Sequence, residues 1–142
     1  MRNSNHLFYA VESLTLMMNN AAFTENPELR EFLRSKPDTA LNLFDGLLAV
    51  VAQYGEISVH PAKSMIAIAS TRKFAYVIQF GKTFIDVVLP FKTAYADNLC
   101  FRKIKPVPRS DDFNHHLRIC SAEDFNEEVT GYLKLAYQEA LS

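Results

Sequence analysis

Residues 72–80 read RKFAYVIQF. Aromatic and β-branched side chains recur along it, which favours a pleated strand. Two-residue alternation puts Phe74, Tyr76, Ile78 and Phe80 on one face and Ala75 and Val77 on the other. Both sets are apolar. The flanking runs 64–70 and 83–89 read as strands of the same kind, joined to it by a turn at Thr71-Arg72-Lys73 and a two-residue hairpin turn at Gly81-Lys82. A sheet with one wet face carries polar residues at alternate positions. These three strands therefore predict a sheet buried on both sides, by helices on both faces or by a partner on one.

Outward from this sheet the pattern changes. Upstream, Leu7, Phe8, Val11, Leu14 and Met18 recur at helical spacing, with Asn3 or Ser4 as N-cap and an end near Asn19 and Asn20. A second, short helix follows, capped by Asn26 with Pro27 in its first position, and stops before Pro37. A third runs from an Asp38 or Thr39 cap to Gly55, with Leu41, Phe44, Leu48 and Val51 in one stripe. Further strands are expected at 56–59, stopped by His60-Pro61, at 99–104, and at 115–120, and Pro90 should end the strand before it. Ser121-Ala122-Glu123-Asp124 opens a last helix as a capping-box-like pattern. The chain thus reads as one α+β domain over 1–142: helical over 1–55, a mostly antiparallel sheet of five or six strands over 56–120, and a C-terminal helix over 121–140 that packs on the sheet.

With 142 residues, 49% hydrophobic and 22% charged, the chain supports a core without staples. A net charge of −1 gives no global attraction to nucleic acid or anionic lipid. No apolar run approaches the roughly 18 residues of a membrane span, and Glu12 interrupts the N-terminal apolar stretch, so the expected location is the cytoplasm. Cys100 and Cys120 match no metal-ligand spacing and are expected as buried free thiols in strands.

RKFAYVIQF also approaches the base-stacking strand of RNA-recognition domains, K/R-G-F/Y-G/A-F-V-x-F/Y. Lys73 replaces the glycine, Gln79 departs from the motif near its end, and the strands follow one another without the intervening helices of a βαββαβ order. The aromatic residues read as core instead, and nucleic acid is not the expected partner. His115 and His116 are adjacent on a strand, so they face opposite ways and cannot chelate one metal side by side. His116, Arg118 and Cys120 share one face; His115, Leu117 and Ile119 share the other. No H-E-x-x-H, C-x-x-C, G-x-S-x-G or glycine-rich phosphate loop is present. No metal, cofactor or catalytic residue is expected. One constellation remains. His60, Lys63, Arg72, Lys73, His116 and Arg118 lie on the sheet or its turns, and their convergence would make a cationic floor for a carboxylate or phosphate.

The order LFDGLLAVVAQYGEISV, PAKSMIAIAS, RKFAYVIQF, HHLRICSAEDFNEEV and YLKLAYQEA, within 42–140, resembles a family of small uncharacterised bacterial domains. These occur alone or at the C-terminus of proteins labelled predicted transport proteins, and the fold is similar to the small α+β domains called YdhG-like. The resemblance implies an antiparallel sheet with a closing helix, and marks Lys63, Phe74, His116, Arg118 and Tyr137. It implies no catalytic residue. The reading that follows is a non-catalytic binding or interaction module, a homodimer that buries the extra apolar face. The alternative is a small anionic-ligand or nucleic-acid-binding domain built on the basic and histidine residues.

Overall fold

In the computed structural model, which describes residues 26–141, the first described helix starts at Pro27. The Asn26 side chain accepts a hydrogen bond from the Leu29 amide at 3.1 Å, and Pro27 needs no partner for the N–H it lacks. This helix, α1 (Pro27–Arg34), ends at Ser35, just before Lys36-Pro37. Helix α2 (Asp38–Ala52) starts one residue earlier than expected: Pro37 itself is the N-cap, in extended backbone, and Asp38 is the first helical residue. The helix expected over residues 3–20 lies outside the described residues.

Six strands follow: β1 (Ser58–Pro61), β2 (Ile66–Ala69), β3 (Lys73–Phe80), β4 (Ile85–Phe91), β5 (Lys103–Pro106) and β6 (Phe113–Ile119). They form one antiparallel sheet in the order β1-β2-β3-β4-β6-β5, so the α+β class holds. Helix α3 (Glu127–Glu139) closes the chain. It opens on Asn126, whose side chain accepts from the Val129 amide at 2.9 Å. The expected capping box at Ser121 and Asp124 is present, but it opens a separate 3-10 turn (Ala122–Asp124) ahead of the helix.

Several boundaries moved, each for a local reason. Strand β1 continues through His60-Pro61, because it is an edge strand and can carry a proline. Strand β4 continues through Pro90 because β3 stops pairing with it at Val88, so Pro90 has a ladder neighbour on the β6 side only. The connection after β3 has four residues, 81–84, with the Gly81 amide donating to the Phe84 carbonyl at 2.8 Å. Residues 99–101 form a turn rather than a strand; this sinks Phe101 into the core and leaves Leu99 96% exposed. Both cysteines are free as expected, but neither is a buried strand residue: Cys100 is half-buried in that turn, and Cys120 is exposed just after β6.

All three described helices join one core with one face of the sheet, contributed by Ile66, Ile68, Val77, Val87, Leu89 and Leu117 among others. Phe80 receives Phe32 of α1 and Phe44 of α2 in edge-to-face contacts at 5.7 and 5.5 Å. So helices on both faces, one of the two expected arrangements, is not what the described residues show. No helix among them is long and apolar enough to cross a membrane.

The turn after α2 is held by two tyrosines. Tyr137 of α3 donates to the Glu56 carbonyl at 3.0 Å, and Tyr54 donates to the Thr130 carbonyl of α3 at 2.9 Å. Their rings meet edge to face at 5.9 Å. Between them Gly55 takes φ +148°, and a Cβ there would lie 2.2 Å from the Tyr137 hydroxyl. Gly55→Ala therefore combines backbone strain with a collision, and should destabilise the fold by about 2 kcal/mol or more. Tyr137→Phe keeps the ring and loses the hydrogen bond, at about 1–2 kcal/mol. Denaturant unfolding of the three proteins checks both the order and the size of these effects.

Candidate functional site

The second face of the sheet carries the residues that the core does not claim. Cross-strand register sets one row across it: His60, Ala67, Tyr76, Val88, His116 and Lys103, on β1, β2, β3, β4, β6 and β5 in turn. Ala67, Ala69 and Val88 are each only 5% exposed, yet none belongs to the core cluster. Small side chains between larger neighbours (Ala67 between His60 and Tyr76, Val88 between Tyr76 and His116) make the floor of a shallow trough. Tyr76 stands half-buried in its middle, and Ile78, the extra residue of the β3 bulge, is 37% exposed.

Charge gathers at one side of this face. Arg118 grips Asp86 in a two-pronged ion pair, Nε to Oδ1 at 2.7 Å and Nη2 to Oδ2 at 3.0 Å, and its guanidinium lies 3.7 Å from the Phe84 ring centre. The pair is part-buried and positions both side chains. Partial burial, then the nearby Lys103 and Lys105, pull the His116 pKa below its ordinary value. This edge is therefore basic without needing a charged imidazole.

The six residues marked in the sequence do not meet at one point. His60 and His116 share a row but are four strand spacings apart, roughly 19 Å. His60 is exposed and hydrogen-bonded to Ser58, with Oγ and Nε2 2.8 Å apart. Lys63 is exposed beyond β1 and borders a groove against Glu28 and Phe32 of α1. His116 and Arg118 lie together on the second face, as alternation predicts. Arg72 and Lys73 come together elsewhere, at the end of α3: Arg72 donates from Nη2 to the Glu139 carbonyl at 2.7 Å and from its amide to the Ala140 carbonyl at 3.0 Å. Of the residues marked by resemblance, Phe74 and Tyr137 are core, in edge-to-face contact at 5.5 Å.

His115 is fully buried, and the two histidines face opposite ways as expected. Its Nε2 accepts from the Tyr95 amide at 3.0 Å, so the proton is on Nδ1, which donates to the Phe113 carbonyl at 2.9 Å. Phe91, Tyr95 and Phe101 surround the ring at 4.8 to 5.6 Å between centroids. Burial pulls its pKa down. With both nitrogens used, His115 acts as a pin for the segment 92–102. Within that segment, burial and the Glu128 carboxylate push the Cys100 thiol up to about 11, which keeps it protonated. Asp45, which no motif singled out, sits half-buried in α2, and burial pushes it up to about 6. Only its unfavourable setting among Phe44, Gly46 and Leu47 hinted at this in the sequence. Among the described residues no group of three or more His, Cys, Asp or Glu is placed to hold a metal.

The model of the family described as Domain of unknown function (DUF5655) matches residues 30–140, and the chain belongs to that family. No curated protein and no solved structure matches it.

The two perturbed groups act on stability in opposite directions. His115 is harder to protonate folded than unfolded, so its contribution is full above pH 6.5 and is lost as pH falls below that. Its imidazole resonances should stay flat through pH 6.5 in NMR titration and move only at lower pH. Asp45 is harder to ionise folded, so its cost is absent below pH 3.8 and grows as pH rises through 6. Asp45→Asn should raise stability at pH 7 by on the order of 1–2 kcal/mol, after allowing for partial solvent screening, with the gain vanishing near pH 4 in thermal melts.

Proposed function

We propose that the domain is a non-catalytic interaction module that self-associates through the second face of its sheet. The observation that carries this reading is the apolar trough of Ala67, Ala69, Tyr76 and Val88, on a face that no described helix covers. Sheet faces that meet only water alternate to polar residues, and on β2 and β3 this one presents Ala67, Ala69, Tyr76 and Ile78 instead. A net charge of −1 leaves two copies with little long-range repulsion. Five strand spacings make the face about 24 Å wide, the scale of a small interface, so the expected association is weak and concentration-dependent.

Binding is favoured over catalysis by the state of the chemical groups. Cys100 is held as a thiol, and both nitrogens of His115 are occupied. The same reading takes the fold as YdhG-like, on the motif order of residues 42–140.

Light scattering across a dilution series should show the mass rising from 16.1 kDa towards twice that value with concentration. Ile78→Lys, on an exposed position, and Val88→Glu should hold the mass at the single-chain value, with Ile78→Lys leaving the melting temperature within a degree or two of wild type, as exposed substitutions do. A single-chain mass at every concentration of the wild-type protein would sink the reading.

A further inference from the structure

Residues 92–102 link β4 to β5 without helix or strand, and one buried side chain holds their middle. The Tyr95 amide donates to His115 Nε2 at 3.0 Å. The rings of Tyr95 and Phe101 lie against the same imidazole, at 5.6 and 4.8 Å between centroids, and both pack on Tyr132 of α3, at 5.1 and 4.8 Å. Other ties are slighter. Lys92 pairs with Asp112 at 3.1 Å, with its side chain 78% exposed. The Asn98 amide reaches the Tyr95 carbonyl and the Phe101 amide the Asn98 carbonyl, both at 3.4 Å. The Cys100 thiol donates to Glu128 of α3, and Asn98 meets the Tyr132 hydroxyl. A firm backbone tie comes only at the far end, where the Arg102 amide donates to the His116 carbonyl at 2.7 Å. We propose that His115 is an acid-released latch: on taking up a proton it frees residues 92–101 from the aromatic cluster while the sheet stays folded.

The geometry at the ring makes the proton the trigger. A neutral imidazole donates at one nitrogen and accepts at the other, and His115 does both, with Nδ1 donating to the Phe113 carbonyl at 2.9 Å. A second proton goes to Nε2 and turns that acceptor into a donor facing the Tyr95 N–H. The bond is lost, and a cation is left among Phe91, Tyr95 and Phe101. No carboxylate is ion-paired with His115 among the described residues. The titratable groups around it do not compensate. Tyr95 is neutral, Tyr132 lies behind the two rings, Glu128 is engaged by Cys100, and Asp112 by Lys92. On its own strand His116 faces the opposite side, where Lys103, Lys105, Asp86 and Arg118 also lie. Burial makes the closed ring harder to protonate, and water restores its ordinary affinity on opening, so each proton taken up favours the open form. Freeing this segment breaks few bonds, whereas unfolding would break the whole ladder.

The test follows amide hydrogen exchange of the full chain from about pH 7.5 to about pH 5, each rate compared with that of an unstructured peptide at the same pH. Protection of the Tyr95 amide should be steady above pH 6.5 and fall up to about tenfold per pH unit below it. The amides of β3 and β4 should stay far better protected throughout. Low concentrations of urea should speed exchange in β3 and β4 and leave Tyr95 nearly unchanged, because a local opening exposes little surface. His116→Gln should keep the pH response and His115→Gln should abolish it. If His115→Gln does not fold, the wild-type profile and His116→Gln decide. Three results would each overturn the proposal: Tyr95 protection that ignores pH, Tyr95 exchange that matches β3 and β4 in rate and urea dependence, or a response that vanishes in His116→Gln. His115 lies on the core side of the sheet, so the latch and the self-association reading fail separately.

Discussion

The segment between α2 and β1 has to turn the chain from the helical layer into the sheet, and it does so under the last helix. Tyr137 reaches back over eighty residues of sequence to hold the Glu56 carbonyl, and Tyr54 reaches forward to the Thr130 carbonyl. Each hydroxyl satisfies a carbonyl of the other's segment, and the two rings close the gap between them. A side chain at position 55 would occupy the space of the Tyr137 hydroxyl, so glycine is the condition for the whole arrangement. Helix α3 is thereby set against both α2 and the middle of the sheet. Its last turn is then where Arg72 can find the terminal carbonyls, which ties the start of β3 to the same helix.

The sheet was legible because RKFAYVIQF and its neighbours are strand-forming residues joined by short turns. The alternation expected along it is only half right: register shifts on either side of the strand's middle put Phe74 and Phe80 in the core with Ala75 and Val77, and only Tyr76 and Ile78 of the expected set of four share the second face. Alternation also placed His115 and His116 on opposite faces, and His115 in the core with Leu117 and Ile119. The displaced strand boundaries share a cause. Proline lacks a ladder donor, but the cost of a missing donor depends on whether a strand lies on that side. At Pro61 and Pro90 that is decided by the sheet order, which strand patterns alone do not contain. Residues 99–101 look like a strand because Leu, Cys and Phe favour one, and Phe101 reaches the core without it.

The site was less legible, for a physical reason of the same kind. Convergence is a tertiary property, and six basic or histidine residues from three strands and two turns carry no local mark of which ones meet. Arg72 and Lys73 meet Lys92 only because α3 and the end of β4 come to the same corner. Lys92 had no motif around it. Asp45 differs from the other carboxylates only in how little water reaches it, and water access is set by packing.

The two outermost strands have a bearing on how copies of this domain can meet. Strand β1 ends in a proline, and β5 is Lys-Ile-Lys-Pro. A chain that tried to extend the sheet sideways would meet a missing donor at one border and two ammonium groups at the other. Lateral growth of the sheet, which has no natural limit, is thus discouraged at both borders. In the self-association proposed above, two copies would meet through a face instead, and a face paired with its own copy about a two-fold axis is used up in the act. The chemistry of eight border residues therefore favours a finite particle over a fibre.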